Sequence, residues 1–102
     1  MIYAEVTPNP ATMKFVFNHY LDSEGKVFEY KSEADSTGSP LAQRLFTFPF
    51  VKGVFITQNF VSVTKMDGIE WDDVMLEMRE YLSNYLNAGQ PVFDESAKAT
   101  EI

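Results

Sequence analysis

His19 is the only histidine in this sequence, and the chain contains no cysteine at all. Without thiols the chain can form no disulfide, thiol nucleophile or thiolate metal site of its own. A metal centre would need His19 plus carboxylates gathered from scattered positions, and no ligand-like spacing argues for one. The neighbours Asn18 and Tyr20 suit an ordinary surface or strand-end histidine. Asp72 and Asp73 are adjacent, and on a helix they diverge by about 100°, which prevents joint action on one substrate atom. The positive end of a helix dipole accounts for them instead. Asp94 and Glu95 read as solvated acids. The five glycines are isolated, so no phosphate-cradling loop is present, and no nucleophile motif surrounds a serine or threonine. No catalytic, cofactor-binding or metal-ligating residue is assigned, and none of the patterns identifies an enzyme.

The aromatic residues are more informative. The Met and aromatic stripe Trp71, Met75, Met78, Tyr81, Tyr85 has the spacing of a buried helix face. Phe46, Phe48, Phe50 and Phe55 fall within ten residues, across a helix end and a strand start. Most belong in a core. Phe48-Pro49-Phe50, however, lies in a connection, and connections run over the surface. Phe48 and Phe50 are therefore expected to form an exposed partner-binding pair.

The elements that position these residues follow from periodicity. Ile2 to Val6 alternates as a half-buried strand, and Thr7-Pro8-Asn9-Pro10 ends it. Met13, Phe15 and Phe17 share one face of a second strand. After the turn residues Asp22-Ser23-Glu24-Gly25, Lys26 to Lys31 resumes alternation with Phe28 and Tyr30 together. These three strands read as a meander. Ser39-Pro40 opens a short helix containing Leu41, Ala42, Leu45 and Phe46, with serine as cap and proline in the first position. Val51 to Thr57 and Phe60 to Lys65 form a hairpin around Gln58-Asn59. The clearest helix runs from Trp71 to Leu86 and stops near Gly89 and Pro91. The expected fold is α+β, a two-layer sandwich in which a five-stranded, mostly antiparallel sheet carries two helices on one face, in the order β-β-β-α-β-β-α. Residues 1–88 form the domain, and 89–102 are a flexible tail or truncated linker.

The totals agree with one folded domain. The chain has 102 residues, 45% of them apolar, with nine Phe, five Tyr and one Trp. Folding at this length hides roughly 60–70% of the unfolded surface, enough for one modest core. Net charge is −7, from 15 acids against 8 bases, which disfavours nucleic acid and anionic membranes as partners. No apolar run approaches the ~18 residues a membrane helix needs. Residues 1–6 lack the basic and apolar regions of a signal peptide. A soluble, cytoplasmic protein is expected.

Four segments, in order, resemble one known family. Thr7-Pro8-Asn9-Pro10-Ala11-Thr12-Met13-Lys14-Phe15 is similar to the TPNPxTLKF opening of the N-terminal domain of Nfu-type (NifU-like) iron–sulfur cluster scaffold proteins. Ser39-Pro40-Leu41-Ala42 with Leu45-Phe46 resembles its SPLAxxLF helix. Val51, Val54-Phe55, Phe60-Val61 and Val63-Thr64-Lys65 resemble its VxxVFFxxDFITVTK hairpin, and Trp71-Asp72 the start of its last helix. The chain departs from the pattern at Phe50 and Thr57, where the family often carries glycine, and at Asn59, where Asp is common.

The resemblance implies an accessory role in cluster assembly or transfer, through contacts with proteins of cluster biogenesis or cluster-receiving apoproteins. It also implies that the cluster is held by a CxxC motif on a separate C-terminal domain. No cofactor is expected on this chain. Asn9 and Lys14, from the most recognisable segment, and Lys65, beside a turn, join Phe48 and Phe50 as expected partner contacts. Two other readings stay open: a stand-alone acidic adaptor or dimerisation domain, and a small hydrolase with His19 and carboxylates gathered in a cleft.

Overall fold

The computed structural model describes residues 2–100; Met1 and the last two residues of the expected tail lie outside them. Five strands, β1 (Ile2–Val6), β2 (Thr12–Phe17), β3 (Val27–Tyr30), β4 (Val51–Thr57) and β5 (Phe60–Lys65), form one sheet with helices α1 (Pro40–Leu45) and α2 (Trp71–Asn87). Every strand pairing is antiparallel, and the spatial order is β1-β2-β5-β4-β3.

The core sits on one face. Cross-strand register puts Met13, Phe15, Phe17, Val61, Val63, Val54, Ile56, Phe28 and Tyr30 together there. Leu41, Ala42 and Leu45 of α1, and Trp71, Met78 and Leu82 of α2, are buried in the same cluster, so both helices cover that face. This is the two-layer α+β sandwich the sequence predicts. Val51 and Val54, three residues apart, both point inward because the register shifts between Val51 and Gly53, leaving Lys52 exposed. Ser39 caps α1 as expected, its Oγ accepting from the Ala42 N–H at 3.1 Å.

Two expectations are corrected. The first three strands are not a meander: the β4–β5 hairpin lies between β2 and β3. Its tip is the reason. The Asn59 carbonyl accepts from the Phe17 N–H at 2.8 Å and its Nδ2 donates to the Phe17 carbonyl at 3.1 Å. The Gln58 carbonyl accepts from Leu21 and Asp22, at 2.6 and 3.2 Å, so the chain leaving β2 is carried across the hairpin end before β3 begins.

The second correction concerns the flexibility of the segment after Gly89, expected as a flexible tail or truncated linker. The segment is laid against the domain. Phe93 packs on Phe28 with ring centroids 4.2 Å apart, and Ser39 Oγ donates to the Val92 carbonyl at 2.7 Å. Thr100 then lies along the outer edge of β3, its N–H donating to Val27 and its Oγ1 accepting from the Glu29 N–H. Gly38 makes the close approach possible: at φ +99°, a Cβ there would stand 2.7 Å from the Ala97 Cα.

Candidate protein-interaction surface

The five expected contact residues do not form one patch. Asn9 is exposed but holds a turn. Its Oδ1 accepts from the Ala11 N–H at 2.9 Å, while its carbonyl accepts from Thr7 Oγ1 and from the Thr12 N–H. The Ala11 carbonyl, fixed by this turn, then receives both the Trp71 indole N–H (3.0 Å) and the Lys65 N–H (2.8 Å). The TPNP segment is thereby a clamp joining the β1–β2 connection, the end of β5 and the start of α2. Lys65 stands beside that clamp, half-buried, with Asp67, Glu70 and Asp72 around the same shallow depression.

Lys14 lies on the other face of the sheet. Its Nζ is 4.1 Å from the centroid of the Phe60 ring and 4.0 Å from Glu5 Oε1, and Phe60 in turn stacks on Phe55 at 6.2 Å. The α1 and α2 core residues all pack against the opposite face.

Phe48 and Phe50 part company. Phe50, expected at the surface, is buried at 8% exposure, its ring edge-on to Trp71 at 6.0 Å. The reason is steric: Val51 begins β4 facing inward, and the connection must dive under α2 to reach it. Phe48 is half-buried, 5.8 Å from Phe50 and 5.1 Å from Tyr81. It forms the floor of an open cleft of about 670 Å³ between the α1–β4 connection and α2, with Val74 and Tyr81 beside it and Glu77 and Glu80 on the rim. Both glutamates are exposed. They are the only charged side chains among the residues that line the cleft, so its α2 rim is negative. An apolar floor with acidic walls suits a basic segment that inserts an apolar side chain. Tyr81 was assigned to the core stripe from its spacing; no sequence signal separates its half-exposed edge from a fully buried one.

His19 is exposed. Its Nδ1 lies 3.3 Å from Asn18 Oδ1, and the depression beside it is lined by Ile2, Phe17, Asn18, Ser83, Leu86 and Asn87, with no carboxylate. The acid–base pair that the hydrolase reading requires is not assembled there. Among the described residues, no three His, Cys, Asp or Glu side chains converge as a metal site. The donor set for a thiolate-held iron–sulfur cluster is missing from the sequence, so such a cluster does not fit this chain as a resident group.

One buried polar atom is left over. The Tyr30 hydroxyl, in the core beneath α1, has no hydrogen-bond partner. Burial pushes its pKa up, the nearby Ser39 hydroxyl opposes this more weakly, and the Asp94 carboxylate adds a smaller upward push. Because the folded-state pKa is raised, this contribution to stability is whole below the ordinary tyrosine range near 10 and is lost as pH rises through the folded value. Tyr30→Phe is expected to stabilise by about 1 kcal/mol, since an unpaired buried hydroxyl is removed. It should also flatten the loss of stability above about pH 10. Urea titrations of both proteins at neutral and alkaline pH measure both effects.

The clamped TPNP loop and the tryptophan-led last helix mark this two-layer sandwich as a distinct class of small α+β domain. The chain belongs to the family described as scaffold protein Nfu/NifU N terminal, which matches residues 2–89. Among curated relatives, the NFU1 iron-sulfur cluster scaffold homolog, mitochondrial, of Drosophila sechellia is 30% identical over 95 residues, covering 93% of this chain and 34% of the relative. NifU-like protein 4, mitochondrial, of Arabidopsis thaliana is 31% identical over 98 residues, covering 96% of this chain and 34% of the relative. The chain thus spans about a third of the length of these relatives. The solution structure of a NifU-like protein from Saccharomyces cerevisiae matches with a TM-score of 0.79 at 25% identity, over 94% of this chain and 86% of that one. A Staphylococcus aureus crystal structure shares the fold, with a TM-score of 0.67 at 22% identity, over 79% of this chain and 96% of that one.

Proposed function

We propose that this domain is a non-catalytic docking module in iron–sulfur cluster assembly or transfer, and that it works by seating a partner protein in the Phe48 cleft. Family membership supports the pathway, since the curated relatives are named cluster scaffolds. The observation that carries the docking role is the cleft itself: an aromatic floor of Phe48 and Tyr81 between the acidic side chains Glu77 and Glu80. The cluster is cargo held elsewhere, on a CxxC domain. Asn9 and Lys65 act as fold supports at the TPNP clamp, Lys14 lies on the opposite face of the sheet from the cleft, and Phe50 supports Phe48 from below. The compartment proposed is the cytoplasm, although the named relatives are mitochondrial proteins; fractionation of cells that carry the tagged native protein tests this, and recovery with mitochondria overturns it. Among the described residues, no helix is long and apolar enough to cross a membrane.

The function is tested with the purified chain and a separately purified, cluster-loaded CxxC domain of the same family, together with a cluster-receiving apoprotein. Calorimetric titration should show binding to one of them, and Phe48→Ser should weaken it about tenfold, the loss of one well-packed aromatic anchor. The isolated chain should take up no stoichiometric iron. Cluster-like absorbance on the chain alone, or binding indifferent to Phe48→Ser, counts against the proposal.

A further inference from the structure

The two edges of the sheet differ. At β3 the outward-facing groups Val27 C=O and Glu29 N–H are taken by Thr100. At β1 nothing in the described residues covers the edge. The ladder fixes which β1 groups are free. The Phe17 N–H bonds to Asn59, on the β5 side, so the pair Phe17–Ile2 exchanges no hydrogen bonds across β1 and β2. Alternation along the register then leaves Ile2, Ala4 and Val6 with N–H and C=O directed away from β2, while Tyr3 and Glu5 spend theirs on Val16 and Lys14.

The same border is unusually apolar. Of the five large apolar side chains exposed among the described residues, Tyr3 (52%) and Val6 (84%) are on β1. A third, Leu76 (56%), sits two helical turns before Ser83, which lines the depression under Ile2, so it shares the side of α2 that overhangs β1. No proline, lysine or bulge interrupts the strand, the usual guards of an exposed edge.

We propose that β1 pairs antiparallel with β1 of a second copy of this chain, about a two-fold axis at Ala4. The register follows from the free groups. A centre at Tyr3 would pair only Ile2 with Ala4 and leave Val6 unpaired, and a centre at Glu5 would pair only Ala4 with Val6 and leave Ile2 unpaired. A centre at Ala4 sets Ala4 against Ala4 and Ile2 against Val6 of the other copy, and every free N–H and C=O of the three residues finds a partner. It also sets Tyr3 against Glu5 of the other copy, as a close, non-hydrogen-bonded pair on the outer face. No like charges meet in this register, whereas a pairing centred one residue later would oppose two glutamates. Self-complementarity of charge and apolar side chains selects a second copy as the occupant.

Two measurements on the full chain decide it. Sedimentation from about 1 µM to about 1 mM, the span over which a small interface dissociates, should show mass doubling. Val6→Lys, at a position already 84% exposed, should raise the dissociation constant at least about tenfold with an unchanged circular-dichroism spectrum. Because the chain has no native cysteine, register is read directly by mixing the Tyr3→Cys and Glu5→Cys chains. The opposed positions lie about 4.5 Å apart between Cα atoms, within disulfide reach, so the mixture should cross-link faster than either variant alone. A chain that remains monomeric throughout, a dimer indifferent to Val6→Lys, or a mixture no faster than its components overturns the proposal. So does capture of a different protein's strand at β1 by a chain that stays single.

Discussion

Trp71→Ala should cost about 3–5 kcal/mol, the largest single loss expected in this domain and a large share of the 5–15 kcal/mol that a fold of this kind holds in reserve. Three contributions converge on the indole. Its ring meets Phe15 at 5.9 Å and Phe50 at 6.0 Å, both edge-on, joining the sheet to α2 and to the connection before β4. It is 6% exposed, so truncation removes buried packing and leaves a cavity at the start of α2. Its N–H donates to the Ala11 carbonyl, the point where the TPNP turn is fastened. Trp71→Phe separates these effects. It keeps most of the aromatic packing but loses the donor, and should cost about 1–2 kcal/mol, since the Ala11 carbonyl still accepts from Lys65. Trp71 is the chain's single tryptophan, so urea unfolding must be followed by circular dichroism. Equal losses for the two substitutions would show that the clamp, and not the packing, carries the energy.

Gly38→Val should release the C-terminal segment and lower global stability by about 2–3 kcal/mol, from positive-φ strain together with lost packing. At φ +99° a branched residue is strained whatever the space, and the space is absent: the new Cβ would meet the Ala97 Cα at 2.7 Å and its N at 2.9 Å. The Asp94 N–H, which bonds the Gly38 carbonyl at 2.9 Å, would be pulled away with it. Hydrogen exchange reads the result residue by residue. The Glu29 and Thr100 amides, which close the β3 edge, should lose protection, while Val61 and Val63 in the sheet centre should change only by the global amount. Unchanged protection at Glu29 and Thr100 would mean the segment is held by other contacts, such as Phe93 on Phe28.

What the sequence disclosed, and what it withheld, divides by range. Alternation and turn chemistry act within a few residues, and they placed every strand and both helices; Gln58-Asn59 was read correctly as the hairpin turn, and Gln58 indeed adopts φ +50°. The neighbour relations of β2 and β3 depend on carbonyls of that same turn reaching Phe17, Leu21 and Asp22, bonds that periodicity does not encode. The docking of residues 92–100 was hidden for a related reason. Val92, Phe93, Ala97 and Ala99 contribute small or isolated apolar contacts without a period, so the stretch reads as tail although each residue finds a place on the core. At the candidate surface, Phe48 was legible because a phenylalanine in a connection is conspicuous. Phe50, two residues on, was misread because one further residue carries the chain from connection into sheet. Asn9 was legible as important, but its task is to hold the loop that receives Trp71.

The placement of Thr100 along β3 bears on assembly size. A sheet with two unguarded borders can add copies at either side without end, which is the geometry of a fibre. Here Thr100 occupies the Val27 carbonyl and the Glu29 N–H on one border, so the proposed addition through β1 uses the border left open among the described residues and growth past a pair is disfavoured.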